Sequence, residues 1–361
     1  MSPLPDPAGS PSILTRWYID TRQLTATTNS LPLLSTLQES DQKTVKAFYH
    51  LSDRHMSLAS YLLKYLFIHR ACRVPWDQIA ISRTPAPHKR PCYIPPKDST
   101  GTSNIPNIEF NVSHQASLVT LAGCIIPGNG DSIPRAGPSP SPSTPPQIGI
   151  DITCTDDPSR RHRNAPQTEE ELAAFIDVFS EVFSQAELDD MKSRSRRSIS
   201  TSTSTSIPTS QPPTPTPTPI PIPHRLRLFY TYWALKEAYI KMTGEALLAP
   251  WLRELEFRDV QVPSPPMSTS TSTSSSASAA SQWGDPITSI KPTLHGAVAE
   301  DVRVEVVAFG GEYIFATAAR GGGFGFGVDG EGEGAVWDEF RAVDIEGDVE
   351  ACARGECGCL G

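Results

Sequence analysis

Apolar positions along the chain recur with two periods, and the switches between them mark the elements. Residues 56–72, MSLASYLLKYLFIHRAC, are apolar around most of a helical circumference, which predicts a helix buried on several sides, with Ser52 or Asp53 as its cap. PWDQIAISRT then predicts a short strand through Ile79 and Ile81. IEFNVSHQASLVTLAGC predicts strand, turn and strand, with the turn around Ser113–Gln115. In QIGIDIT, Ile148, Ile150 and Ile152 alternate with Gly149, Asp151 and Thr153, so a half-buried strand presents Asp151 on its outer face. EEELAAFIDVFSEVFSQAELDDMKS predicts a helix pair or one long helix, opened by Thr168 in a T-x-x-E capping box. RLFYTYWALKEAYIKMTG predicts another largely buried helix, closed by Gly244, and LRELEFRDV, VRVEVVAF and EYIFATAAR read as strands.

Four segments carry neither period. They are a Pro/Ser-rich linker at 127–147, Ser/Thr/Pro tracts at 193–223 and 263–281, and a Gly/Glu-rich tail at 321–361. Such compositions bury too little apolar surface to offset the entropy of ordering, so long disordered insertions are expected there. What remains is an N-terminal portion, 13–126, and a C-terminal portion, 148–320. Each mixes helices and strands, so the expected class is α/β (α+β). A helix precedes strands in both, which suggests two similar halves. Within the tail, AVWDEFRAVDI (335–345) is expected as a short helix docking on the second half.

Composition changes this picture little. The 31 Lys+Arg against 40 Asp+Glu leave a net charge of −9, which argues against general affinity for nucleic acid or anionic membranes while allowing a local cationic pocket. No stretch approaches the roughly 20 apolar residues that span a bilayer. The first residues lack a secretory pattern, so the expected location is cytoplasmic, with the 7 cysteines as reduced thiols. Cys352, Cys357 and Cys359 have a spacing that fits no common zinc pattern and no histidine nearby, so no metal site is expected in the tail.

Candidate chemistry lies in four places, each with an ordinary reading beside the functional one. In WALKEAYIK (233–241), Glu237 and Lys241 lie about 40° apart around the helix and Lys236 about 100° before Glu237. That stripe is either a solvent-facing i,i+4 pair or the wall of a site between two halves. Asp151 is either a solvated strand residue or, with Glu237, one of two hard oxygen ligands of the kind magnesium takes when phosphate fills other positions. FNVSHQ offers Asn111, Ser113, His114 and Gln115 either as a polar turn or as a phosphate-recognition loop with His114 as donor. Arg83, Lys89 and Arg90 in SRTPAPHKRP form a solvated basic turn or a clamp for a phosphate monoester.

Taken in order, RT…KRP, FNVSHQ, GIDI and WALKEAYIK resemble the motifs of the 4′-phosphopantetheinyl transferase superfamily, in its two-lobed surfactin-type and aminoadipate-reductase-activating branch, over about residues 50–320. The resemblance implies two similar α/β lobes with pseudo-twofold symmetry and coenzyme A in the cleft between them. It implies transfer of 4′-phosphopantetheine to a serine of an apo acyl or peptidyl carrier protein, with release of 3′,5′-ADP. Fatty-acid, polyketide, nonribosomal-peptide and lysine (aminoadipate) biosynthesis would supply such carriers. By the same resemblance Asp151 and Glu237 hold Mg²⁺, with Glu237 also the base for the serine proton. Lys241 and Lys236 neutralise phosphate oxygens, and Ser113, His114, Arg83 and Arg90 bind the nucleotide end. Two fused lobes complete their own cleft, so a monomer is implied.

Two positions depart from the family pattern. Many members carry a second acid where this chain has Thr153. The arginine usual on the first-lobe helix corresponds to Tyr61, with Lys64 or Arg54 as substitutes. Those departures keep open a catalytically impaired coenzyme A or carrier-binding protein. A scaffold whose Ser/Thr/Pro tracts carry the function is a third reading. Deleting 193–223 and 263–281 separates the last from the others: an enzyme keeps its turnover, whereas a scaffold loses its function.

Overall fold

The computed structural model describes residues 13–85, 89–96, 103, 105–126, 145–157, 165–193, 219–245, 249–266, 282–325 and 335–360. The expected linker and the two Ser/Thr/Pro insertions lie outside the described residues except at their ends. Gln147 already belongs to a strand and Ile222 opens a helix, so a deletion that spares this helix stops at residue 218.

The first lobe contains β1 (Ile13–Asp20), α1 (Arg22–Thr27), α2 (Glu39–Lys46), α3 (Leu51–Cys72), β2 (Ile81–Arg83), β3 (Pro91–Tyr93), β4 (Asn107–Gln115) and β5 (Leu118–Ile126). The second contains β6 (Gln147–Cys154), α4 (Glu169–Asp177), α5 (Gln185–Lys192), α6 (Ile222–Thr243), β7 (Leu255–Arg258), β8 (Lys291–Leu294), β9 (Ala297–Val298), β10 (Val302–Phe309) and β11 (Tyr313–Arg320). The remaining elements are β12 (Val336–Trp337), β13 (Arg341–Ala342), a π-helical turn at Ile345–Val349, and α7 (Glu350–Ala353).

Both lobes repeat one unit. A strand is followed by a 22-residue helix and then by two antiparallel strands, the last of which inserts beside the first. The sheet orders are therefore β1-β5-β4 and β6-β11-β10, with α3 across one and α6 across the other. The mixed class and the paired lobes expected from the sequence are both present. β1 lies outside the elements that periodicity predicts, because Leu14, Thr15, Arg16 and Trp17 are all buried and no alternation survives.

The lobes meet where β4 and β6 face each other as edge strands. Among the described residues β6 pairs through its backbone with β11 alone, and the amides on its other side point at side chains of β4. Ile150 N–H donates to Asn111 Oδ1 at 3.3 Å, Ile152 N–H to Ser113 Oγ at 3.2 Å, and Cys154 N–H to Gln115 Oε1 at 3.0 Å. Residues two apart on a strand share a face, so N-x-S-x-Q serves every second amide of β6. On the pseudo-symmetric side β1 meets β10 through a buried ion pair, Arg16–Glu305.

Three expectations need correction. Ser113–Gln115 is not a turn: the hairpin turns at Ala116 and Ser117, whose φ values are +45° and +72°. Neither residue is the Gly or Asn that usually announces such a turn, so the signal was missing. Segment 335–345 is not a helix on the second lobe. It is extended, and β12 and β13 pair in parallel with β1 of the first lobe, whose outer edge would otherwise leave amides and carbonyls unpaired. Contact with the second lobe comes from Phe340, which stacks on Trp283 at 4.6 Å and packs edge-on against Phe315, and from Trp337, whose ring centroid lies 4.2 Å from the Arg303 guanidinium. Finally, α3 begins at Leu51 after His50, ahead of Ser52 and Asp53.

The helices expected at the acidic run are two, α4 and α5, each opened by a complete capping box, Thr168/Glu171 and Ser184/Glu187. Gly244 closes α6 with φ +80°. α6 lies directly on β6 at Gly149, where a Cβ would stand 1.9 Å from the Ala238 carbonyl oxygen and 2.4 Å from the Met242 nitrogen. Both obstacles are backbone, so no rotamer change relieves them. Gly149→Ala is expected to force α6 off β6 and cost about 2 kcal/mol, read as a lower urea midpoint with an unchanged slope.

Candidate active site

β6 and α6 supply the charged centre, and β4 completes it from the other lobe. Because α6 rests on β6 through Ala238 and Met242, the neighbouring Glu237 and Lys241 lie beside the strand at Asp151. Asp151 is 5% exposed and its carboxylate accepts three hydrogen bonds. Its Oδ1 accepts from Lys241 Nζ at 2.6 Å and from Ser113 Oγ at 3.0 Å, and its Oδ2 accepts from Thr153 Oγ1 at 2.9 Å. Ser113 Oγ in turn accepts from Lys241 Nζ at 2.9 Å. One hydroxyl therefore joins the interlobe seam to the charged centre.

The side chain of Glu237, one turn before Lys241 and partly buried, makes no hydrogen bond among the described residues. Burial, and then the nearby Asp151 charge, raise its pKa above the usual carboxylate range, while Lys241 opposes the rise. Two carboxylates are held together with one ammonium, an arrangement that costs free energy unless a cation joins it.

Further cations extend from this centre into the first lobe. Desolvation, then Lys241 and Lys64, hold His114 below its ordinary pKa, although the residue is exposed to solvent. Lys64, buried on α3, has its Nζ 3.9 Å from the Tyr61 ring centroid. Burial pushes its pKa down to about 8, Asp41 works against that, and Arg83 adds to it. Arg83 itself is exposed and donates to the Lys89 carbonyl at 3.0 Å. A strip of donors thus runs from Arg83 through Lys64 and His114 to Lys241, in a chain whose net charge is −9.

Comparison with known proteins gives the family. Residues 25–126 match the family model described as the 4′-phosphopantetheinyl transferase N-terminal domain, and residues 147–291 match that of the 4′-phosphopantetheinyl transferase superfamily. The chain is similar to 4′-phosphopantetheinyl transferase A of Aspergillus fumigatus, at 53% identity over 96% of both chains. It is 49% identical to 4′-phosphopantetheinyl transferase NpgA of Emericella nidulans over 98% of both. The chain belongs to the 4′-phosphopantetheinyl transferase superfamily, and it is an enzyme. A more distant likeness, at 23% identity over 59% of this chain and 50% of the relative, is to the L-aminoadipate-semialdehyde dehydrogenase-phosphopantetheinyl transferase of Mus musculus.

Within this family member the structure brings together Asp151, Ser113, His114, Glu237 and Lys241, with Arg83 reached through Lys64. Two candidates go elsewhere. Lys236 is fully buried on another face of α6, where its ammonium pairs with Glu187 at 2.9 Å and donates to the carbonyls of Leu252 and Leu255. The 100° step from Glu237 that separates it from the stripe turns it into the core of the second lobe. Arg90 is a strut: its guanidinium donates to Glu109 at 2.5 Å, to the Ile148 carbonyl at 2.8 Å and to the Met242 carbonyl at 3.3 Å. Those bonds tie the start of β6 and the end of α6 to the first lobe. Arg54 bonds the Phe48 carbonyl, which leaves Lys64 as the α3 cation of the strip.

The sequence reading missed the seam role of Asn111 and Gln115, although polar residues at alternate positions of an otherwise apolar strand were the available signal. The Glu187 partner of Lys236 carried no signal beyond its capping box. Lys236→Met is expected to leave Glu187 as an uncompensated buried charge and to cost about 3–5 kcal/mol in urea unfolding. In the fraction that folds, the Michaelis constant for coenzyme A should stay unchanged, unlike that of a residue touching phosphate.

Proposed function

We propose that the chain transfers 4′-phosphopantetheine from coenzyme A to a serine hydroxyl of an apo acyl or peptidyl carrier protein, releasing 3′,5′-ADP with the help of Mg²⁺. The observation that carries this reading is the convergence of Asp151 and an unpartnered Glu237 beside Lys241, at the end of a strip of cations in an acidic protein. The donor set fits magnesium, since two neighbouring carboxylates would supply hard oxygen ligands. Asp151 and Glu237 would hold the ion, which when bound neutralises charge on the pyrophosphate.

The protein groups then have separable tasks. Lys241 places its ammonium beside the pyrophosphate oxygens. His114 donates an N–H to a phosphate oxygen, and Lys64 and Arg83 attract the nucleotide end. The serine oxygen attacks the β-phosphorus, the bond from that phosphorus to the ADP oxygen breaks, and Glu237 accepts the serine proton. Thr153, standing where many relatives carry a second acid, orients Asp151 through its hydroxyl, so its presence does not favour the impaired-binder reading.

With both lobes in one chain the site is complete in a monomer, and the reading places the enzyme in the cytoplasm. No helix among the described residues is long and apolar enough to cross a membrane. Fatty-acid, polyketide, nonribosomal-peptide and aminoadipate-reductase carriers all present the required serine.

Intact-mass measurement of an apo carrier incubated with the chain, coenzyme A and Mg²⁺ tests this reading. Wild type is expected to add one phosphopantetheine, and Glu237→Gln and EDTA are each expected to slow that addition about 10²–10⁴-fold. Because the Glu237 pKa is raised on folding, its ionised form costs stability above the unfolded carboxylate value. Glu237→Gln without metal should therefore melt higher than wild type at neutral pH. The difference should close as pH falls and wild-type Glu237 takes up its proton. Coenzyme A binding with no transfer to any of several carriers would instead establish the impaired binder.

A further inference from the structure

The tail cysteines, which spacing alone gave no metal site, meet a histidine from the other end of the first lobe. His69, in the last turn of α3, lies with Cys352, Cys357 and Cys359 so that all four ligand atoms are within 4.8 Å of one another. Cys352 Sγ and Cys359 Sγ are 3.8 Å apart, and His69 Nε2 is 3.0 Å from Cys357 Sγ. Four ligands about 2.3 Å from a tetrahedral zinc ion have mutual separations of roughly 3.8 Å, so closing the widest pair takes about 1 Å.

The surroundings suit a metal. His69 Nδ1 is 2.7 Å from the Val74 carbonyl oxygen, which only accepts, so Nδ1 carries the proton and Nε2 turns its lone pair toward the cysteines. The Arg70 guanidinium lies 3.8 Å from Cys352 Sγ and donates to the Asp348 carbonyl at 2.9 Å, placing a fixed positive charge beside a group of thiolates. Cys352 and His69 are buried and the other two partly so. All the cysteines are free thiols. Residues 350–359 contribute a four-residue helix and almost no large apolar side chain, too little to hold such a segment by burial alone. His69 is five residues beyond Lys64 on α3 and about 140° around it, so the cluster faces away from the phosphate strip.

We propose that His69, Cys352, Cys357 and Cys359 form a structural Zn²⁺ site that anchors the C-terminal tail to α3. Four protein ligands leave no open position, which makes the site closed and non-catalytic. It is chemically distinct from the oxygen-ligand site at Asp151 and Glu237, since thiolate and imidazole select zinc where carboxylate selects magnesium.

The test is metal analysis of the full chain, purified without a metal-affinity step from zinc-supplemented cells under reducing conditions. Wild type and Glu237→Ala are both expected to carry about one zinc per chain, and Cys352→Ser/Cys359→Ser less than about a tenth of that. His69→Ala should lose the metal, and His69→Cys, which restores a fourth soft ligand, should keep it even if other His69 variants fold poorly. Reconstitution with Co²⁺ should give thiolate-to-metal charge-transfer absorption in wild type and His69→Cys alone among the His69 forms. Absence of zinc with all three tail thiols titratable would overturn the proposal. So would a mass two hydrogens lower with a reducible Cys352–Cys359 link.

Discussion

Burying the outer edge of β6 is the constraint from which the centre of this molecule follows. Ile150, Ile152 and Cys154 present amides to the other lobe, and an unsatisfied buried amide costs about 1–3 kcal/mol, more than the net gain of a typical hydrogen bond. The solution is to let side chains of β4 stand in for a strand. That choice sets a polar residue at every second position of β4 and fixes the register between lobes. It also brings Ser113 within reach of Asp151. The residue that satisfies the Ile152 amide is the one that orients the acid.

Charge is then distributed according to what the packing leaves available. Lys236 and Lys241 sit five residues apart on one helix, yet one has its ammonium fully committed to Glu187 and two carbonyls while the other rests against Asp151 at the lobe junction. Arg16–Glu305 and Arg90–Glu109 similarly spend their charge on holding the lobes in place. Glu237, by contrast, has no ion pair or side-chain hydrogen bond among the described residues, and the proposed role as a divalent-ion ligand would make use of that deficit.

Much of this was legible from the chain. The repeated helix-then-strands order announced two lobes, and the i,i+4 pair Glu237/Lys241 with Asp151 announced the charged centre. Where the reading failed, it did so for physical reasons. The Ala116–Ser117 turn adopts left-handed backbone without the residues that normally signal it. β1 is covered on both faces and shows no alternation. Lys236 looked equivalent to Lys241 because helical angle alone does not reveal that Glu187 and the carbonyls of Leu252 and Leu255 cover one side of α6. The histidine beside the tail cysteines is 283 residues before the nearest of them, Cys352, a separation no spacing rule spans.

The path of the tail also bears on how the chain is made. One edge of β1 is satisfied early by β5, but the other waits for Val336, Trp337, Arg341 and Ala342. During synthesis the N-terminal lobe therefore leaves the ribosome with a hydrophobic strand edge open until about 210 further residues have followed. At the usual pace of translation, about 5–20 residues per second, that is some tens of seconds in which β1 offers a template to other nascent chains. The first lobe is thus completed only by strands that follow the second lobe in the chain.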